Sequence, residues 1–239
     1  MFTIEVVAST LQSCISAQKG GARRIELCSA LATAGVTPSA GLIQLVKQYV
    51  TIPVVVMIRP REGDFCYSHH EYETMKRDIQ HAKVMGADGV VLGLLSRDGT
   101  VNSKMTYDLV QVALPMKVTF HRAIDIVPDI FEAMEAVMTV GCERILTSGG
   151  KKTGVEGIEI IREMANRAGD KIAIMPGGGI TAESLSAMLT ANIHDYHLSG
   201  RVAVSSPIKT DVFEMNYAET DAAIIKSVVK KAKEFFMPA

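Results

Sequence analysis

Eight short runs of β-branched and other apolar residues recur along the chain. Each is followed by a longer segment whose apolar residues return every three or four positions. The runs cover 3–8, 24–28, 53–59, 89–93, 117–121, 144–148, 171–175 and 195–199. Between them, Leu42, Ile43, Leu45, Val46 and Tyr49 stripe one segment, and Ile130, Phe131, Met134, Val137 and Met138 another, the period of an amphipathic helix. A strict βα alternation requires parallel strands, because every crossover returns the chain to the same end of the sheet. Eight such units in 239 residues fit a single-domain α/β fold, the (β/α)8 TIM barrel. A doubly wound open sheet would carry a Gly-rich turn after its first strand, where this chain has Ser9-Thr10-Leu11. The expectation is therefore one barrel domain over 1–239. Its one long irregular stretch, about 200–218, follows the eighth strand as a lid or subunit contact.

Charge and hydropathy exclude several functions. Lys and Arg number 25 against 26 Asp and Glu, a net charge of −1, so the basic footprint of a nucleic-acid binder is missing. Apolar runs such as Val54-Val55-Val56-Met57-Ile58 fall far short of the ~18 residues a membrane span needs. Glu5 interrupts the N-terminal stretch, which reads as no secretory signal. A cytoplasmic protein with neither nucleic-acid nor membrane partners is expected. Cys14, Cys28, Cys66 and Cys142 form no Cys-x-x-Cys pair, which predicts free thiols and no structural zinc.

Barrel enzymes place their chemistry at the C-terminal ends of the strands, and those ends are unusually polar here. Glu5 lies in the first run, Glu26 and Cys28 in the second, Arg59 ends the third and His121-Arg122 the fifth. Thr147-Ser148-Gly149-Gly150 follows the sixth, Gly177-Gly178-Gly179 the seventh, and His197 and Ser199 occupy the eighth. Side chains two apart on a strand share a face. An ionisable group facing the apolar helices would cost more than one facing a wet mouth, so these groups should point inward. Glu5, Glu26 and Arg59 could equally brace the interior as buried ion pairs. The three glycines before Ile180-Thr181 offer backbone N–H groups to an anion, or simply a tight turn. His69-His70-Glu71 reads as a solvated helix start, and His194 and His197 should face opposite sides of one strand. Met134 and Met138 belong to the core.

Several blocks carry a family signature. Arg24-Ile25-Glu26-Leu27-Cys28-Ser29, Thr37-Pro38-Ser39-Ala40-Gly41 and 57–65 (MIRPREGDF) resemble the CutC family. So do Thr119-Phe120-His121-Arg122-Ala123-Ile124-Asp125, Arg144-Ile145-Leu146-Thr147-Ser148-Gly149-Gly150 and Met175-Pro176-Gly177-Gly178-Gly179-Ile180. The resemblance implies a cytoplasmic barrel assigned to copper homeostasis, commonly a homodimer, with Cu(I) held by cysteines near the ends of the first two strands. The second-strand position is Cys28, the candidate metal ligand; the first is Val7, where members commonly carry Cys. Cu(I) favours soft ligands and normally takes at least two, so Cys28 would need His121, His197 or a second subunit.

The polar mouth also supports an enzyme acting on a small anionic or phosphorylated substrate. In that reading Gly177, Gly178 and Gly179 hold the anion, with Ser148, His197 and Ser199 beside it, and Arg59 and Arg122 supply counter-charge. His121 is the acid or base, with Glu5, Glu26 or Asp125 orienting it or sharing the proton.

Overall fold

The computed structural model describes residues 2–190, 192–208, 212 and 215–237. Eight parallel strands alternate with helices in the expected order. The strands are β1 (Thr3–Ala8), β2 (Arg24–Leu27), β3 (Val54–Met57), β4 (Gly89–Leu92), β5 (Lys117–Phe120), β6 (Arg144–Thr147), β7 (Ala173–Pro176) and β8 (Asp195–Leu198). The helices that follow β1 to β7 are α1 (Leu11–Gly20), α2 (Ala40–Tyr49), α3 (His69–Val84), α4 (Ser103–Ala113), α5 (Ile130–Thr139), α6 (Ile158–Ala168) and α7 (Ala182–Met188). Hydrogen-bonded neighbours run β7-β6-β5-β4-β3-β2-β1-β8. The barrel is nearly closed: among the described residues no ladder joins β7 to β8, although a Cβ placed on Gly177 would lie 3.6 Å from the His197 Cβ.

Local chemistry sets the boundaries. Thr10, Ser39, Asn102 and Asp129 accept backbone N–H bonds at the starts of α1, α2, α4 and α5, satisfying donors that a helix start leaves free. Ser68 and Glu71 form a reciprocal capping box at α3, so the His69-His70-Glu71 stretch is a helix start. Gly21 ends α1 at φ 96°, a left-handed conformation that glycine adopts without penalty.

Alternation along each strand separates two cores. Ile4, Val6, Ile25, Leu27, Val54, Val56 and Val90 pack outward into the helix layer. Val7, Cys28, Val55, Met57 and Val91 form a separate cluster inside the barrel. One expectation needs correction: the stretch after β8 is only partly irregular. Arg201–Val204 (β9) and Tyr217–Thr220 (β10) pair as an antiparallel ribbon, with Thr220 opposite Arg201. Residues 209–211, 213 and 214 of that stretch lie outside the described residues. The last helix, α8 (Ala222–Phe236), packs on α1 so closely that a Cβ on Gly20 would lie 2.5 Å from the Ile225 Cβ. No helix among the described residues is long and apolar enough to cross a membrane.

Candidate functional site

Inward positions on β1, β2, β6 and β8 carry a column of alternating charge. Arg144 and Arg24 both donate to Asp195 Oδ2, the latter at 3.1 Å. Arg24 Nε also donates to Glu5 Oε2, and Glu5 Oε1 meets His197 Nδ1 at 2.7 Å. Glu5 is fully buried. Burial works to raise its pKa, yet the Arg24 charge, the hydrogen bond and charge of His197 and the Arg144 charge together hold it at about 2. Burial works to lower the His197 pKa, but the charge on Glu26 and the bond and charge of Glu5 raise it above the ordinary value. The interior thus contains buried ion pairs, but of the three expected members only Glu5 takes part; Arg24, Arg144, Asp195 and His197 stand in place of Glu26 and Arg59. The same two-residue alternation, applied to strand starts, identifies them: Arg24 shares a face with Glu26, and Asp195 with His197.

Above this column lies a cavity of about 270 Å³ at the C-terminal ends of the strands. Its polar lining includes Glu26, Arg59, His121, Arg122, His197 and Ser199, and its apolar lining Val7, Met57, Phe65, Leu146 and Ile180. Expected residues from five different strands and their following loops therefore converge, whereas Glu5 lies outside the lining.

Arg59 is 3% exposed. Its Nη1 donates to Thr33 O and Gly35 O, both at 2.8 Å, and its Nη2 to Gly63 O at 2.7 Å. The guanidinium lies 5.0 Å from the Phe65 ring centre. No described carboxylate lies within ion-pair distance, and Nε has no hydrogen-bond partner among the described residues. A buried charge without a counter-charge is expensive, and this one lines a cavity.

His121 is equally constrained. Its Nδ1 accepts the Ala123 N–H at 3.2 Å, which places the ring proton of the neutral imidazole on Nε2. That Nε2 is buried and unpartnered. Burial, followed by the charge on Arg59, pushes the His121 pKa down to about 3, so the ring is neutral at neutral pH. Phe65 packs against it at 4.8 Å between ring centres. Gly93 leaves the space it occupies, since a Cβ there would collide with the imidazole. Glu26, 2% exposed, has Oε2 buried without a partner. Burial is the main cause raising its pKa to about 7; the charge on His197 opposes the shift and that on Glu5 adds to it.

The other candidates lie around this cavity. Asp125 accepts from Arg122 Nε at 2.7 Å, Ser148 N at 2.9 Å and Gly150 N at 3.1 Å, and Ser148 Oγ donates to it at 2.9 Å. Asp125 and Ser148 thus lie outside the lining and hold Arg122 in place. Gly177 N–H is spent on Thr147 O at 2.9 Å, while Gly178 and Gly179 line the cavity with φ of 86° and 76°. The helix they introduce has seven residues, and its first donors are taken by a Thr181–Ser184 capping box. His194 lies across the strand from His197, 5.7 Å from Phe236.

Cys28 is fully buried and outside the cavity lining. Its thiol is pushed up by burial and by the charge on Glu26. A Cβ on Gly35 would touch both Cys28 Sγ, at 3.3 Å, and Met57 Cε, at 3.7 Å, so these two sulfur side chains share one pocket of the interior. Cys14 and Cys142 are buried with thiols raised to about 12 by burial, the behaviour of small core residues. Glu5, Glu26 and His197 hold donor atoms within 4.8 Å of one another. Both Glu5 oxygens are already bonded, so this hard N/O set suits Cu(I) less than the Cys28–Met57 sulfurs do.

A family model described as the CutC family matches residues 2–202, a span that includes every residue of this site. The chain belongs to the CutC family. Copper homeostasis protein cutC homologs of Mus musculus and Homo sapiens are each 46% identical over 209 residues, 87% of this chain and 77% of theirs. A family protein CutC of Xanthomonas campestris is 40% identical over 234 residues, 95% of this chain and 97% of its own. A crystal structure titled as the putative copper homeostasis protein CutC from Streptococcus agalactiae superposes with a TM-score of 0.79 at 32% identity, covering 83% of this chain and 99% of that one. A Pyrococcus furiosus thiamine phosphate pyrophosphorylase has a TM-score of 0.62 at 12% identity, covering 98% and 97%, a likeness of fold alone. This CutC-family chain shares its barrel fold with that CutC structure, and its own mouth gathers groups that sequence reading singled out. Phe65, Gly93 and Met57 were not among them: packing partners from separate strands and loops leave no local signal.

Proposed function

We propose that the barrel mouth of this CutC-family protein binds a small anionic molecule. The observation that supports this reading is Arg59, a buried cation that lines the cavity, is held by three backbone carbonyls beside the Tyr67 hydroxyl and the Phe65 ring, and meets no described carboxylate. An anion entering there supplies the missing counter-charge. Charge-assisted hydrogen bonds of this type contribute about 1.5–3 kcal/mol each. Turnover in such a site draws its proton transfer from Glu26, whose pKa of about 7 suits neutral pH, with His197 as its neighbour. His121, neutral at that pH, serves as a hydrogen-bond donor. Calorimetry with acetate and inorganic phosphate tests the reading. The parent should bind at least one, and Arg59→Met should weaken that binding about tenfold or more, the equivalent of ~1.4 kcal/mol. Equal binding by the variant would remove Arg59, and with it the reading.

Cu(I) binding is the second reading, favoured by Cys28 and Met57 packing in one interior cluster and by the copper homeostasis name of the relatives. A thiolate and a thioether are the soft pair Cu(I) takes. The metal must displace the Cys28 proton against a raised pKa, so affinity should increase with pH. Anaerobic titration against a competing chelator should show weaker binding by both Cys28→Ser and Met57→Leu. Unchanged competition in both variants would eliminate this site.

A further inference from the structure

Five buried side-chain N or O atoms lack a hydrogen-bond partner among the described residues, and three belong to residues lining the mouth: Glu26 Oε2, Arg59 Nε and His121 Nε2. Such groups are costly unless something completes them. Their chemistry specifies what does. Arg59 Nε–H requires an acceptor, best an anion. His121 Nε2–H also requires an acceptor, because Ala123 N–H occupies Nδ1 and fixes the proton. Glu26 Oε2 is an acceptor when ionised and can present a proton when not. A hydroxyl donates and accepts at once, so it matches a fixed donor and a carboxyl group in either of its states.

The carrier of that hydroxyl is also constrained. The cavity is about 270 Å³ and half its wall is aliphatic or aromatic, which suits a compact carbon skeleton. The seat expected for a phosphate is partly spent: Gly177 N–H is bonded to Thr147 O and Arg122 is paired with Asp125, which leaves the Gly178 and Gly179 amides. Two lining guanidiniums, Arg59 and Arg201, make no ion pair among the described residues; Arg59 is the buried one, and a carboxylate supplies the charge it lacks.

We infer that the mouth selects a small hydroxycarboxylate, its carboxylate on Arg59 and its hydroxyl between His121 Nε2–H and Glu26, with His121 as the specificity-determining donor. This rests on the anion-binding reading and adds the ligand class to it. His121 is held for the role by three contacts: the Ala123 N–H, the Phe65 ring, and the space that Gly93 leaves.

The experiment compares ligands that differ by one hydroxyl: glycolate with acetate, lactate with propionate, malate with succinate. Binding is read by calorimetry or ligand-observed NMR. In the parent, at least one hydroxy acid should bind about tenfold more tightly than its partner, since a site built around a hydroxyl rejects the analogue that leaves its polar groups bare. His121→Leu should abolish that difference while the plain acid still binds. His121→Gln, which retains an amide N–H donor, should restore part of it. Gly93→Ala, which displaces the ring from outside the cavity, should reduce it independently of any loss of the imidazole. If every pair binds equally to the parent, or the difference survives both His121→Leu and Gly93→Ala, the hydroxyl assignment is wrong. Plain acids that bind through Arg59 would leave the anion reading standing in that case; no binding by any acid or by phosphate overturns both.

Discussion

Glu5 and Glu26 sit on adjacent strands, both buried, and carry opposite pKa shifts because their partners differ. Glu5 is locked between Arg24 and His197, whereas Glu26 keeps an unpartnered oxygen. Their effects on stability therefore run in opposite directions with pH. Glu5, depressed from 4.5 to about 2, stabilises the fold above its unfolded pKa, and that contribution disappears as pH falls through about 2. Replacing it leaves Arg24 with Asp195 as its remaining carboxylate and releases His197, so Glu5→Gln should cost about 3–5 kcal/mol at neutral pH. Denaturant titrations should show the gap between parent and variant shrinking toward pH 2. Glu26, raised from 4.5 to about 7, keeps its proton longer in the folded state, so the parent loses stability as pH rises between those values. Glu26→Gln removes that burden. The variant should gain on the parent by about 2–3 kcal/mol between pH 5 and pH 8, read from unfolding free energies at both. A difference that does not change with pH would place the Glu26 pKa near its ordinary value.

At the level of single elements, the loop after β6 determines whether Arg122 is available to the mouth. Ser148 and Asp125 hold it, and Ser148 is in turn fixed where its carbonyl crosses Gly157, so that a Cβ on Gly157 would collide with Ser148 O. Backbone cannot yield as a side chain does. Gly157→Ala should cost about 1–3 kcal/mol or more, seen as a lowered melting temperature, whereas Gly41→Ala, with open space around its Cα, should be nearly neutral. This scale also shows how far sequence reading extends. The eight strands were legible to within one or two residues because each buries both faces, giving apolar runs that turn signals bound. The ribbon of β9 and β10 was not: Arg201, Val202, Ala203 and Tyr217 are exposed, so no buried face imprints a period on them. Inward charge was legible from the two-residue repeat. The pairing of those charges was not, since Arg24 reaches Asp195 across 171 positions of sequence.

The whole barrel is tied by parallel ladders at seven of its eight strand junctions. At the eighth, between β7 and β8, the amides facing the junction have no ladder partner among the described residues. Hydrogen exchange should therefore divide each of these strands in two. Amides facing β6 or β1 should be protected to near the global unfolding free energy, and those facing the junction should exchange orders of magnitude faster. Uniform protection would mean that the ring is sealed in solution. A polar cavity of about 640 Å³, lined by Arg144, Ile172, Ile174, Asn192 and Asp195, opens at the opposite end from the mouth beside the same two strands.

That unjoined line has a mechanical meaning. A hoop with one cut can change its calibre by spreading there, and the deformation disturbs side-chain contacts across the cut, such as the ion pair of Arg144 with Asp195. Stretching it anywhere else would break backbone bonds. Two of the residues that border the opening, Gly178 and His197, border the cut as well, so any widening of the cup would fall on that side, with Arg59 and His121 on the side that the ladders close.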